Sequence, residues 1–208
     1  MATPTAGWSD RDQVEWYLDR IGKLEPRKAG EAMLVDLLPP SPRRVLDLGC
    51  GDGRLAALVL QTRPTVEYVL AVDCSAPMLA RAAERFDGQP SVSLREWDLS
   101  DRLPAWGSFD VVVSGFAIHH LEHVRKQQLF GEIVGQLGGG GLFINLEVVA
   151  SATPERHAEF LAAIGRTADD PEDRLASVGD QLRWMREAGM VNVDCLWRWR
   201  GFAVLVGG

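Results

Sequence analysis

Apolar stretches of strand length alternate along this chain with stretches whose apolar residues recur at helical spacing. "RRVLDL" (43–48) is followed by "RLAALVLQT", and "EYVLAVD" (67–73) by "APMLARAAERF" (76–86). "VSLREWD" (92–98) is a weaker, alternating strand, and "FDVVVSGFA" (109–117) a continuously apolar one. "HVRKQQLFGEIVGQL" (123–137) reads as an amphipathic helix, ended by "GGGG" at 138–141, and "LFINLEVVA" (142–150) as a further buried strand. Strands that are apolar along their whole length are covered on both faces, and βαβα alternation predicts a parallel sheet built by right-handed crossovers. The expected fold class is therefore α/β and doubly wound.

Two segments stand outside the alternation. Residues 8–38 carry Val14, Tyr17, Leu18 and Ile21, then Ala32, Met33, Val35 and Leu37, at helical spacing before the stop "PPSP". An N-terminal helical cap over 1–40 is expected, with the main domain over 41–208. Residues 151–176 hold a helical stretch, "PERHAEFLAAIG", and the polar "RTADDPEDR". They are expected to form a lid inserted after the fifth strand. Trp8, Trp16 and Tyr17 of the cap and His157, Phe160, Arg166 and Arg174 of the lid are the residues expected to close over a pocket.

In a parallel sheet, ligands bind beyond the carboxyl ends of the strands, near the point where strand order reverses. The residues placed there are Asp47 to Gly53, Asp73, Asp98, Ser114 to Ala117 and Glu147. The stretch "VLDLGCGDGRL" (45–55) brings three glycines and two aspartates to a strand–helix junction. Gly51-x-Gly53-x-x-Ala56, with Asp73 twenty residues past Gly53, satisfies the dinucleotide fingerprint. A pyrophosphate there, however, would be repelled by Asp47. S-adenosylmethionine is the other candidate. It carries a sulfonium and an ammonium, which suit Asp47, and a ribose whose hydroxyls both oxygens of Asp73 can accept. Gly49, Gly51 and Gly53 would let the backbone pass close to it. Asp98 is placed to accept from an adenine amino group.

"VLDLGCGDG", "AVDCS", "WDLSD" and "FDVVVSGFAIHHL", in this order, resemble the class I S-adenosylmethionine-dependent methyltransferases over roughly residues 40–150. "LRWMREAGMVNVDCLWRWRGFAVLVGG" is similar to that family's last helix and closing antiparallel strands. The resemblance implies a Rossmann-like, seven-stranded, mostly parallel sheet with an antiparallel C-terminal strand. It implies an enzyme that turns S-adenosylmethionine into S-adenosylhomocysteine. It assigns the cofactor to Asp47, Gly49, Cys50, Gly51, Gly53, Asp73, Cys74, Asp98 and Leu99, with Ser114 and Phe116 meeting the methionine part. Ser75 is a further neighbour of the adenine.

"HHLEH" (119–123) sets His119 and His123 four residues apart, and on one helix they would share a face, with Glu122 and His157 available to complete a metal set. There is no HExxH and no nearby cysteine, so no metal is expected. His119 or His120 is the candidate catalytic base, with Glu147 as another, because histidine's ordinary pKa suits proton transfer at neutral pH. No Asn/Asp-Pro-Pro-aromatic motif follows the fourth strand, which disfavours the amines of nucleic-acid bases as acceptors.

Composition narrows the class further. The net charge of −7 disfavours a broad grip on nucleic acid. Three scattered cysteines, Cys50, Cys74 and Cys195, read as reduced thiols, and no apolar run reaches membrane-spanning length. The chain shows no secretory signal, so a cytoplasmic location is expected. The expected acceptor is a small or medium organic molecule, with no membrane partner and with a homodimer left open. The rivals are methylation of tRNA or protein, a modified cofactor such as carboxy-S-adenosylmethionine, and a non-catalytic cofactor-binding protein.

Overall fold

The structure is a computed structural model, and it describes residues 24–208 together with Val14, which is helical and buried. Tyr17, Leu18, Ile21, Trp8 and Trp16 lie outside the described residues. Seven strands form one sheet in the order β3-β2-β1-β4-β5-β7-β6. They are β1 (Arg44–Leu48), β2 (Tyr68–Asp73), β3 (Val92–Glu96), β4 (Phe109–Gly115), β5 (Leu137–Val148), β6 (Asp194–Trp199) and β7 (Phe202–Gly207). β1 to β5 pair in parallel, whereas β7 is antiparallel to both β5 and β6. Strand order reverses between β1 and β4, at the middle of the sheet.

The helices are α1 (Glu25–Leu37), α2 (Arg54–Thr62), α3 (Ala76–Arg85), α4 (His123–Val134), α5 (Pro154–Ala163) and α6 (Val178–Glu187). Alternation along the strands sorts the core into two layers, because successive side chains point to opposite faces. Val45, Val69, Val111, Val113, Ile144 and Leu146 face α1, α2 and α3, with Leu34, Leu55 and Ala82 packed on them. Leu46, Leu70, Val112 and Phe143 face α4 and α6, with Phe130, Ile133, Trp184 and Met185. Asp47 shares the first face and Glu147 the second. Among the described residues, no helix is long and apolar enough to cross a membrane.

Several expected boundaries shift, each for a local reason. The glycines at 138–141 do not end the preceding helix, which stops at Val134; they lie inside β5. Pairing with β4 jumps from Phe109↔Leu137 to Val111↔Leu142, so the glycines form a bulge, with Gly140 at φ +77°. β4 ends at Gly115 because Phe116 adopts φ +56°. β3 ends at Glu96, leaving Asp98 two residues past the strand. In α1 the buried residues are Arg27, Gly30, Glu31 and Leu34, while Met33, Val35 and Leu37 pack half-buried against the same layer and Ala32 is exposed. Charged residues thus share the inner side of that helix with its apolar positions.

Candidate active site

The carboxyl ends of β1 to β4 and the glycine loop enclose a pocket whose wall includes Asp47, Gly49, Gly51, Asp73, Asp98 and Phe116. Gly49 sits at φ +68°, where a Cβ would lie 2.2 Å from that of Ala117. Gly51, at φ +54°, directs its N–H to Asp73 Oδ2 at 2.8 Å. The loop is thereby tied to β2, and the main chain of Gly49 stands where a side chain has no room. Asp73 Oδ1 accepts from Ser75 N–H at 2.8 Å, and Ser75 caps α3 by accepting from Met78 N–H. Burial pushes the Asp73 carboxyl up, against the pull of these backbone donors.

Asp47 is fully buried at the floor. Its Oδ2 accepts from Ala56 N–H in the first turn of α2 at 3.1 Å, while its Oδ1 has no hydrogen-bond partner. Burial first, then Asp73 and Asp52, raise its pKa to about 7. Trp97 Nε1, also on a wall residue, is buried without a hydrogen-bond partner. Asp98 accepts from Ser100 N–H at 2.8 Å, closing a turn that leaves the rest of its carboxylate available.

Cys50, Cys74, Leu99 and His120 also line the pocket; Gly53, Ser114 and His119 do not. Gly53 is the N-terminal boundary of α2 at φ +79°, and a Cβ there would strike the Phe86 ring, so its role is packing. Ser114 is buried and donates to Leu48 O at 2.8 Å, bracing β4 against β1. His119 lies behind the wall in a short 3₁₀ turn, Ile118–His120, with Nδ1 2.7 Å from Glu147 Oε1. Burial, then the neighbouring His119, push the His120 pKa down to about 2, so its ring is neutral at pH 7.

The histidine set considered from spacing does not assemble. His123 reaches Leu175 O, Glu122 pairs with Arg174, and His157 pairs with Asp169. A different group converges. Asp173, from the 151–176 insert, brings Oδ1 to 3.4 Å from His119 Nε2 and 3.5 Å from His120 Nδ1. Lys126 of α4 is fully buried and donates to the carbonyls of His119, Leu121 and Arg174, tying the insert to the 3₁₀ turn. Of the other expected lid residues, Phe160 is buried against Phe202, and Arg166 lies 3.9 Å from Asp170.

Sequence reasoning missed a charged group on the wall. Glu31 accepts from Arg27 at 2.8 Å and from two nitrogens of Arg54 at 2.7 Å, and Arg27 stacks over Phe116 at 5.0 Å. Both arginines line the pocket. The available signal was the i, i+4 Arg27–Glu31 pair in phase with Leu34. The residues present suit a cationic group better than a phosphate: a buried carboxylate with an unmet acceptor, three further aspartates (Asp52, Asp73 and Asp98) and a side-chain-free passage.

Comparison with known proteins agrees with this geometry. Residues 45–141 match the model of a family described as a methyltransferase domain. The chain is 40% identical over 124 residues to an uncharacterized methyltransferase of Mycobacterium tuberculosis, covering 60% of this chain and 58% of the relative. It is 31% identical over 135 residues to a trans-aconitate 2-methyltransferase of Rhodopseudomonas palustris, covering 62% and 48%. The chain thus spans less than two thirds of the length of these curated relatives. The structure of human N-acetylserotonin methyltransferase in complex with SAM superposes with a TM-score of 0.72 at 13% identity, covering 99% of this chain and 59% of that one. Over residues 45–141 the chain is thus similar to a methyltransferase domain, and its seven-stranded sheet has the fold of solved methyltransferases.

Proposed function

We propose that the chain binds S-adenosylmethionine at the glycine loop and methylates a small or medium organic molecule. The observation that carries this reading is Asp47, a buried carboxylate at the pocket floor with one oxygen unmet, beside the close passage at Gly49. When bound, the cofactor supplies a methyl group already activated by its sulfonium. In this reading Asp47 faces the ammonium, directly or through a water. Asp73 receives the ribose hydroxyls, and Asp98, Leu99 and Cys74 border the adenine. Phe116 closes the methionine side, and its φ of +56° turns the chain out of β4 at that point. The chain's contribution is to hold cofactor and acceptor in line and keep water out, which is the larger share of catalysis for such a displacement. His120, in the wall, and His119, behind it, border the space left for the acceptor.

The insert at 151–176 acts as a lid on this side, joined to the wall through Asp173 and Lys126. Its closeness to the wall, the net charge of −7 and the likeness to a trans-aconitate 2-methyltransferase favour a small acceptor over tRNA or protein. Arg27 and Arg54 are the cations that a carboxylated cofactor would need, but both are shared with Glu31, which argues for the ordinary one. Calorimetric titration with S-adenosylmethionine, S-adenosylhomocysteine and NAD tests the reading. Saturable binding of the first two and not of NAD is expected. Binding of NAD alone, or of none of the three, would overturn it.

A further inference from the structure

His119, His120 and Asp173 do more than fill space beside the pocket. One ligand atom from each lies within 4.8 Å of the others, and the two measured separations from Asp173 Oδ1 are 3.4 and 3.5 Å. Those separations are long for a strong hydrogen bond. They are close to about 3.3 Å, the edge of a tetrahedron whose metal–ligand bonds are about 2.0–2.1 Å.

The surroundings repeat the arrangement that orients histidine toward a metal. Glu147 is fully buried on β5, and its Oε1 meets His119 Nδ1 at 2.7 Å and accepts from Val148 N–H at 2.8 Å. Asn145 donates to its other oxygen at 3.4 Å. A carboxylate fixed in this way keeps the histidine proton on Nδ1 and turns the Nε2 lone pair toward Asp173. The main chain of Glu172 bonds the His120 ring, so one loop places both the aspartate and the second histidine. Asp173 itself is held by Asp170 N–H donating to Oδ2, which leaves Oδ1 directed at the imidazoles.

From this geometry we infer that His119, His120 and Asp173 form a binding site for one divalent first-row transition cation, with zinc the best match. Two imidazoles and a carboxylate are ligands of zinc-type sites, and three protein ligands leave a position for water or a substrate oxygen. Because His120 is part of the pocket wall, the site borders the space assigned to the acceptor. The metal site itself does not depend on the proposed methyl transfer; only its use on an acceptor rests on that reading.

The rival account of the same coordinates is a cluster of side chains joined to one another without a metal. Tag-free protein stripped with a chelator and titrated with Zn²⁺, and in parallel with Co²⁺ followed by visible absorption, separates the two. Expected are one cation per chain, cobalt bands of a four-coordinate site with imidazole ligands, and at least a tenfold weaker Zn²⁺ affinity in Asp173→Asn. Glu147→Gln, which weakens the acceptor holding His119 Nδ1 and leaves the three ligand residues in place, is expected to weaken Zn²⁺ about 10- to 100-fold. S-adenosylhomocysteine affinity within twofold of the unaltered protein reports that each variant is folded, and reports on the cofactor site independently of the metal. Absence of saturable Zn²⁺ binding below about 100 µM would overturn the inference. So would hexa-aqua-like cobalt spectra in the unaltered protein, a measurement that needs no variant. Equal Zn²⁺ affinity in folded Asp173→Asn would do the same.

Discussion

The two sides of the pocket are made in different ways. The glycine-loop side, at the ends of β1 and β2, is shaped by main chain: left-handed glycines, N–H groups aimed at Asp73, and a single buried carboxylate. The histidine side, beyond β4 and β5, is shaped by side chains. His119, Glu147, Asp173 and Lys126 come from four separate segments and meet on the opposite face of the sheet from Asp47. The first side can tolerate changes in its neighbours but not in its backbone. On the second, each ligand group depends on another side chain for its direction. A main-chain cradle fits a cofactor shared by many enzymes, whereas a side-chain cluster can vary with the acceptor.

The largest effect that would distinguish the two sides is expected at Gly49. In Gly49→Val a β-branched residue would have to adopt φ +68° with its Cβ 2.2 Å from that of Ala117. The combined strain and overlap are expected to cost about 3 kcal/mol or more and to abolish cofactor binding. Gly88→Ala is the matched control, since Gly88 also has a positive φ, +73°, but nothing within 4 Å. Urea denaturation of the pair is expected to show roughly 1 kcal/mol for Gly88→Ala, the cost of a left-handed backbone alone. Similar losses in both variants would mean that the close approach at Gly49 contributes nothing.

A smaller, more local effect is expected at Lys126. Lys126→Met keeps most of the buried volume but removes the donor shared by the carbonyls of His119, Leu121 and Arg174. Three acceptors lose a charged donor in a buried place, which is expected to cost about 2 kcal/mol in urea denaturation. The segment following α5, up to Arg174, is expected to be cleaved faster in limited proteolysis, with S-adenosylhomocysteine affinity unchanged. Lost cofactor affinity in a folded variant would show that the two sides are one cooperative unit.

The same difference explains what could be read from the sequence. β1, the loop and α2 follow one another within Arg44–Thr62, so the strand, its turn residues and the acid at its end appear as one string. Asp73 was legible for the same reason, as the last residue of an apolar strand. Asp173 was not: it lies in a polar stretch with no periodicity, and only tertiary packing takes it to His119, 54 positions away. The charged group of Arg27, Glu31 and Arg54 was missed because α1 turns its ion pair inward, against the usual pattern of an amphipathic helix. The strand containing Gly138–Gly141 was read as a helix terminus because glycine marks a bulge and a break equally well.

The smallest expected effect is a fraction of a proton, and it bears on the floor of the glycine side. Burial holds the Asp47 pKa at about 7, well above the ordinary carboxylate value. Between about pH 4 and pH 7 the folded chain therefore keeps a proton that the unfolded chain has lost. Its stability without ligand is expected to fall as pH rises through that window and to level off above it. Asp47→Asn has no such proton, so its stability should be flatter over the same range. A cation placed opposite Oδ1 lowers the Asp47 pKa, so binding S-adenosylmethionine at pH 7 should expel about half a proton. Calorimetry in buffers of different ionisation enthalpy measures that release, and the Asn variant should show less of it. Identical proton release in the two proteins would place the ammonium elsewhere. The unmet oxygen would then be a cost of folding rather than a contact kept for the cofactor.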